Sequence, residues 1–494
     1  MTASSSNFAG RLVEQLSSRS HVIDAATGRA IDGERLPRMI AAYGASLISA
    51  GLEAGDRVLI GCALSPASAL VYLGAIYAGL VAVPVDEREL ASSAGILIEA
   101  TGAKALWSEK ALIDPGADKL PVSCLHGDLA AGIADLMPPA IRETWDLAAL
   151  MATSGSTGSP RFVMVTHGNL IANTEAIIRS QSLGRDETAM LILPVNYCFG
   201  ASVLHTHLYQ GGAVVFDRRF MFPDKVLQSI TQYRCTTFAG VPTVYNVLLR
   251  RSGIRDIRLP SLKRFLQAGG SLARERIEEM QELFPSVRFY VMYGQTEATA
   301  RISCMDPARW REKPGSVGQP LENLTVSVID EQGNTVPAGQ IGRLMVKGPS
   351  ICSGYLNDDE ETRLVFRDGW LNTGDLARQD EDGFLWIEGR AGSFLKIRGK
   401  RVSLAEVEAK VSAIPGVYEC GACAVDHPEA GEALVLLIVP DHGAQLATDA
   451  IRHLLPAHWT LASVQLVTEL PKTSAGKIAR PALSALGKEL SGTA

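Results

Sequence analysis

The chain has 494 residues, 47 of them basic and 53 acidic, for a formal charge of −6. That balance, with no block of like charge, excludes a nucleic-acid-coating surface or an acidic tail and leaves local sites for small anions. At roughly 100 to 200 residues per domain the length predicts about three structural units. Eight scattered cysteines and no N-terminal signal pattern predict free thiols in a reducing cytoplasm.

After a frayed start to about Asn7, the pattern predicts a helix over Leu36 to Ala50 and a strand over Val58 to Cys62. Val58 to Val85 carries no charged side chain, a span long enough for a bilayer at ~20 apolar residues. Pro66, Gly74, Gly79 and Pro84 divide it, so it reads as strand, buried helix from about Pro66 to Ala78, and strand from Leu80 to Val85. A Pro- and Gly-containing stretch over 115–139 leads to the apolar strand LAALMA and the string TSGSTGSPR at 153–161. Helix and strand then alternate: helix Leu170 to Arg179, strand AMLILP, helix Ala201 to Gln210, strand GAVVF, helix Pro223 to Gln232, strand CTTFAGVP, helix Thr243 to Arg251, strand LKRFLQ with a glycine turn, helix ARERIEEMQELF, strand VRFYVMY. Such alternation predicts an α/β fold of parallel-type sheets covered by helices, with ligand groups beyond the carboxyl ends of the strands.

Beyond Pro320 short β-type runs (TVSVID, GRLMVKG, FLWIEGR) predict a small β-rich subdomain. The last hundred or so residues, a domain-sized length, predict an α+β unit with strand FLKIRG, a helix over Leu404 to Ala413, two apolar strands and a closing helix. Three small residues, Ala391, Gly392 and Ser393, mark the boundary between an N-terminal domain (1–390) and a C-terminal domain (391–494). Cys420 and Cys423 form a CxxC, but on a strand their sulfurs point to opposite faces, which suits packing rather than metal or redox work.

The hydroxyl-rich, glycine-containing stretch from Thr153 to Arg161 suits a phosphate cradle. Gly155 and Gly158 free backbone N–H groups to turn towards an anion, Thr153, Ser154, Ser156 and Thr157 add donors, and Arg161 adds fixed charge. A solvated turn is the alternative; neither a GxGxxG nor a Walker pattern is present. In YGQTE at 293–297, Tyr293 offers a plane for a base, Thr296 a hydroxyl for a phosphate oxygen, and Glu297 a carboxylate suited to Mg²⁺. His205 and His207 sit in an amphipathic stretch and read as core or pocket-wall residues rather than a metal pair.

TSGSTGSPR, AGGS at 268–271, YGQTE, NTGDLARQDEDGFLWIEGR at 372–390 and PKTSAGKIAR at 471–480 occur in the order seen in adenylate-forming enzymes. The chain resembles that superfamily of acyl-CoA synthetases, peptide-synthetase adenylation domains and luciferases over nearly its whole length. The resemblance implies that ATP is bound by the Thr153–Gly158 loop, Arg161, Gly270, Ser271, Tyr293, Gly294 and Gln295. Asp375, in the turn after Thr373-Gly374, and Arg390 would hold the ribose. Thr296, Glu297 with Mg²⁺, and Lys477 would serve the reaction of a carboxylate with the α-phosphate. The acyl group would then pass to a thiol, of CoA or a carrier protein's phosphopantetheine, after the small domain pivots at Gly392 and brings in Arg398, Gly399 and Lys400. Three positions depart from the family's habit: Arg161 replaces a Lys, Gly392 an Asp or Lys, and Tyr197 a His.

Where amino-acid-activating relatives hold an ammonium with Asp, this chain has Phe199, which cannot offset the desolvation of a cation. An uncharged acyl or aryl carboxylate is expected instead, in a pocket walled by Tyr197, Phe199, Val203, Phe238, Gly240, Gln267 and Gly269. Two readings stay open: a cytoplasmic ligase whose acceptor is CoA, a carrier protein or an amine, or a degenerate nucleotide-binding protein without catalysis. No membrane span and no nucleic-acid partner are expected.

Overall fold

The computed structural model describes residues 6–110, 122–129, 137–153, 161–390, 394–397, 400–427, 430–441, 443–444, 446–456, 459–472 and 478–492. Four sheets organise them. The charge-free segment resolves as expected, with strand Arg57–Cys62, helix Pro66–Tyr77 and strand Val81–Asp86. Ser65 caps the helix by accepting from Ser68 N, Pro66 follows at the first helical position, and ten of the twelve helical residues are buried. This helix packs on helix Arg35–Ser49 through two glycines: a Cβ on Gly74 would stand 2.9 Å from the Ile40 carbonyl oxygen, and one on Gly44 would stand 2.8 Å from that of Gly74. Among the described residues no helix is long and apolar enough to cross a membrane.

The two strands lie side by side in a six-stranded sheet that is parallel except for its last pair, Leu147–Thr153 with Arg161–Thr166. A nine-stranded sheet holds the rest of the alternating region. In it Thr188–Leu191, Thr237–Gly240, Arg264–Gln267 and Arg288–Tyr293 run parallel, so their carboxyl ends share one edge. The third sheet is the β-rich unit, with Thr325–Ile329, Gly342–Lys347, Trp370–Gln379 and Leu385–Arg390 antiparallel.

One expectation is corrected here. Asp375 is not in a turn but inside the ten-residue strand Trp370–Gln379. Gly374, at φ +73°, sits where the register with Gly342–Lys347 shifts, so Thr373-Gly374 is a bulge within a continuing strand.

The fourth sheet begins at Phe394 and has its own core of Leu395, Ile397, Val402, Val407 and partners. Cys420 belongs to that core while Cys423 packs against Leu483 on the other face, as alternation requires. Arg250 pairs with Asp441 (3.7 Å), Arg251 lies 4.6 Å over the Tyr418 ring, and Ser403 Oγ donates to the Glu388 carbonyl (2.8 Å). Those contacts set the last sheet against helix Pro242–Arg251 and strand Leu385–Arg390.

Candidate active site

Strand Arg288–Tyr293 ends in the loop that carries Thr296 and Glu297 on a single 3₁₀ turn. The loop turns back tightly: Ile302 N donates to Tyr293 O (2.9 Å), and strand Ser303–Cys304 pairs antiparallel with the strand just left. Gly294 is needed for this closure, because any Cβ there would lie 1.8 Å from the Ala300 carbonyl oxygen. Thr299 adopts φ +68°, and its hydroxyl donates to the Ser350 carbonyl (2.7 Å). A non-glycine residue in that region is strained, and such strain persists where surrounding bonds fix it.

Segment 350–356 ties this loop to the antiparallel pair Leu147–Thr153 and Arg161–Thr166. Cys352 N donates to Glu297 O (2.9 Å), and the Tyr355 hydroxyl donates to Glu297 Oε1 (2.8 Å). The same segment runs beside strand Arg161–Thr166: Met164 N donates to Gly354 O and Leu356 N to Phe162 O. Burial, reinforced by the Glu297 carboxylate, pushes the Tyr355 phenol up, so it stays a neutral donor. Sequence reading missed Tyr355, since nothing local distinguishes it from a core tyrosine.

The expected nucleotide residues meet at the other side of the loop. The Tyr293 hydroxyl donates to Asp375 Oδ2 (2.5 Å), and Arg390 Nε lies 3.2 Å from Asp375 Oδ1. Asp375 and Arg390 are cross-strand partners in register, which explains how residues fifteen apart reach one carboxylate. Asp375 is buried while the Arg390 side chain is two-thirds exposed. Gly270 and Ser271 lie exposed just past strand Arg264–Gln267, at the same sheet edge, and Gln267 shapes that turn by donating to Gly270 O (2.8 Å).

The fixed charge that the sequence assigns to Arg161 is already paired. Arg161 opens its strand opposite Thr153, and Asp358 Oδ2 (3.2 Å) and Glu361 Oε1 (3.1 Å) engage it. Asp358 and Glu361 lie almost two hundred residues away in the chain, so this pairing gave no local signal. Ser154, Gly155, Ser156, Thr157, Gly158, Gly392, Arg398, Gly399 and Lys477 lie outside the described residues, as does the side chain of Lys400.

The expected acyl pocket is brought together only in part. Phe238 and Gly240 share one strand face, where they meet Tyr245 and Val244 of the following helix. Phe238 is part of the buried aromatic core there, and Gly240 leaves room for Val244. Tyr197 and Phe199 stand at the start of helix Cys198–Tyr209, which also carries Val203 and both histidines. Arg301, which sequence reading passed over, lies with its guanidinium 5.0 Å from the Phe199 ring centroid.

The histidines are core residues. His205 stacks on Tyr72 (5.7 Å between rings), and burial pushes it down to about 3. Burial likewise pushes His207 and His167 down to about 4. Among the described residues no group of three or more potential ligands could hold a metal ion. Each folded-state value lies below that of an exposed imidazole, so unfolding takes up protons once the pH drops below about 6.5. The stability from these three sites is complete above that pH and lost as the pH falls towards 4. Calorimetry should show the melting temperature declining from pH 6.5 to 4.5, and a flat profile there would contradict the neutral, buried assignment.

The comparisons agree with this geometry. The pattern of the family described as AMP-binding enzyme matches residues 12–356, and that described as AMP-binding enzyme C-terminal domain matches 406–477. A feruloyl-CoA synthase of an Amycolatopsis species is 32% identical over 473 residues, covering 91% of this chain and 93% of that protein. The 4-coumarate–CoA ligase 2 of Nicotiana tabacum is 26% identical over 504 residues, covering 96% and 92%. Among solved structures, ATP-bound MatB from Rhodopseudomonas palustris superimposes with a TM-score of 0.89 at 27% identity, over 99% of this chain and 100% of that one. The anthranilate CoA ligase AuaEII with anthranoyl-AMP shares the fold (TM-score 0.90, 23% identity, 98% of each chain). Sheet order, the Tyr293–Asp375–Arg390 cluster and two family patterns covering most of the sequence agree: the chain belongs to the AMP-binding enzyme family, as an AMP-forming acid–thiol ligase.

Proposed function

We propose that this chain joins an acyl or aryl carboxylic acid lacking an α-ammonium to CoA in the cytoplasm, through an acyl-adenylate formed from ATP. The observation that carries the reading is the convergence of Tyr293, Asp375 and Arg390 one loop away from Glu297. In this reading Asp375 accepts from the ribose diol, Arg390 donates to the same sugar, and the Tyr293 ring packs against the base with its hydroxyl anchored on Asp375. Thr296 donates to a phosphate oxygen. Tyr355 occupies one Glu297 oxygen and leaves the other for a hard cation; Mg²⁺ uses only one or two protein carboxylates beside nucleotide phosphates, so the residues fit it. Bound there, Mg²⁺ would neutralise phosphate charge. The substrate carboxylate attacks the α-phosphorus and pyrophosphate leaves, then a thiolate takes the acyl group and AMP leaves.

The Thr153–Gly158 loop is proposed to cradle the phosphates, and Lys477 to screen the anion–anion approach. The Ala391–Ser393 stretch is proposed as the boundary at which residues 391–494 reorient, with Gly392 as pivot, to bring Arg398, Gly399 and Lys400 to the thiol. Similarity to CoA ligases supports CoA as acceptor, and nothing in the fold favours a carrier protein over it. The test is pyrophosphate release across fatty, aromatic and amino acids, with and without CoA. We expect release with non-amino acids and a thioester only when CoA is present. Activity confined to α-amino acids, or no acid-dependent release, would refute the reading.

A further inference from the structure

The described chain buries two arginines almost completely, and it treats them differently. Arg264 is 1% exposed, and its Nη1 lies 2.9 Å from Glu187 Oε2, the expected way to hold a charge inside a protein. Arg301 is 2% exposed, and among the described residues neither a carboxylate nor a carbonyl accepts from its guanidinium. The Nε of each is buried without a hydrogen-bond partner, so what separates the two is the carboxylate that Arg264 has and Arg301 lacks among the described residues. The charged neighbours that would be needed are replaced by Tyr197, Cys198 and Cys304. Burial pushes the Tyr197 phenol up and the Cys304 thiol up to about 11, so both remain neutral. The undescribed residues of the phosphate loop, 154–160, contain no Asp or Glu.

Among the described residues the ring that meets the cation's face is that of Phe199. A cation–π contact offsets only part of what it costs to bury an ion. Arg301 is held rigidly for this: it follows the Thr296–Glu297 turn, and its backbone exchanges hydrogen bonds with Asn173 (N to Oδ1 3.2 Å, Nδ2 to O 2.9 Å). Among the described residues, then, the guanidinium has no counter-charge, and it lies beside Phe199 and Tyr197, two residues expected from the sequence to wall the acyl pocket, four positions after Glu297.

We propose that Arg301 is a specificity residue that pairs with a second carboxylate on the substrate, so that the acids this enzyme activates are dicarboxylic. The inference rests on the ligase reading above and narrows it: the expected uncharged tail is replaced by an anionic one. A dianionic substrate supplies the missing counter-charge and two acceptors for the planar fork. A neutral tail would leave the guanidinium buried and unpaired, and sites built to bond a polar group reject analogues lacking it by large factors.

The test compares acids paired by exchange of a terminal methyl for a carboxylate: butyrate with succinate, hexanoate with adipate, 4-methylcinnamate with 4-carboxycinnamate. Pyrophosphate release by the wild-type enzyme should favour the dicarboxylic member of at least one pair by more than tenfold in kcat/KM. Arg301→Met should lower that preferred value about a hundredfold while changing its monocarboxylic partner less than threefold. Arg301→Lys, which keeps the charge without the fork, should fall between the two and covers the case in which the methionine variant does not fold. Wild-type preference for the monocarboxylic member of every pair, or equal losses for both members in a variant with wild-type melting temperature, would overturn the inference and leave the ligase reading standing. Release with no acid of either kind would remove the ligase reading itself, and this inference with it.

Discussion

Replacing Asp375 with alanine is expected to raise the KM for ATP between tenfold and a hundredfold and to lower kcat/KM for ATP by at least as much. The carboxylate is buried, accepts from the Tyr293 hydroxyl at 2.5 Å, and faces Arg390 at 3.2 Å. Hydrogen bonds to a charged group are worth about 1.5 to 3 kcal/mol each, and a buried donor left unmatched adds about 1 to 3. Its loss therefore removes the proposed ribose acceptor and also strands the Tyr293 hydroxyl, which burial and the adjacent Asp375 hold firmly protonated. Tyr293→Phe separates the two effects: it keeps the carboxylate and the ring, so its KM should rise less than tenfold. A KM for ATP within twofold of wild type in Asp375→Ala would remove this cluster from the nucleotide site.

The second large effect is expected at Lys477. Adenylation brings one anion onto another, and preorganised charge is commonly the largest single catalytic contribution, about 10² to 10³ per removed donor. Lys477→Ala should therefore slow acyl-adenylate formation by two to three orders of magnitude, with an unchanged melting temperature. The thioester half-reaction, started from synthetic acyl-adenylate and CoA, should stay within a few-fold of wild type, because the proposed reorientation places other residues at the thiol. Equal losses in both half-reactions would assign Lys477 a structural role instead.

Much of the fold was legible because charge-free runs and punctuating residues agree. Pro66, Gly79 and Pro84 divided one long apolar run into the strand, helix and strand observed, and the spacing of Cys420 and Cys423 placed their sulfurs on opposite faces. Local reading failed where geometry depends on distant partners. Thr373-Gly374 looks like a turn, yet its strand continues, because Gly342–Lys347 and Leu385–Arg390 pair on either side and the two extra residues opposite Gly342–Lys347 are taken up as a bulge. Local sequence does not show that the Phe238 ring packs on Tyr245 or that Gly240 sits against Val244. Arg301 looks like a surface cation, since burial is not written in its neighbours. The Arg161 pairing with Asp358 and Glu361 spans almost two hundred residues, and the acidic run has the composition of a solvated helix start.

The central chemical claim is that an oxygen of the substrate acid becomes bonded to the α-phosphorus of ATP. Turnover of a carboxyl-¹⁸O-labelled acid with ATP and CoA, followed by mass spectrometry of the products, tests it directly. The account predicts AMP carrying one labelled oxygen and pyrophosphate carrying none. Unlabelled AMP, or label in inorganic phosphate released alongside ADP, would contradict it.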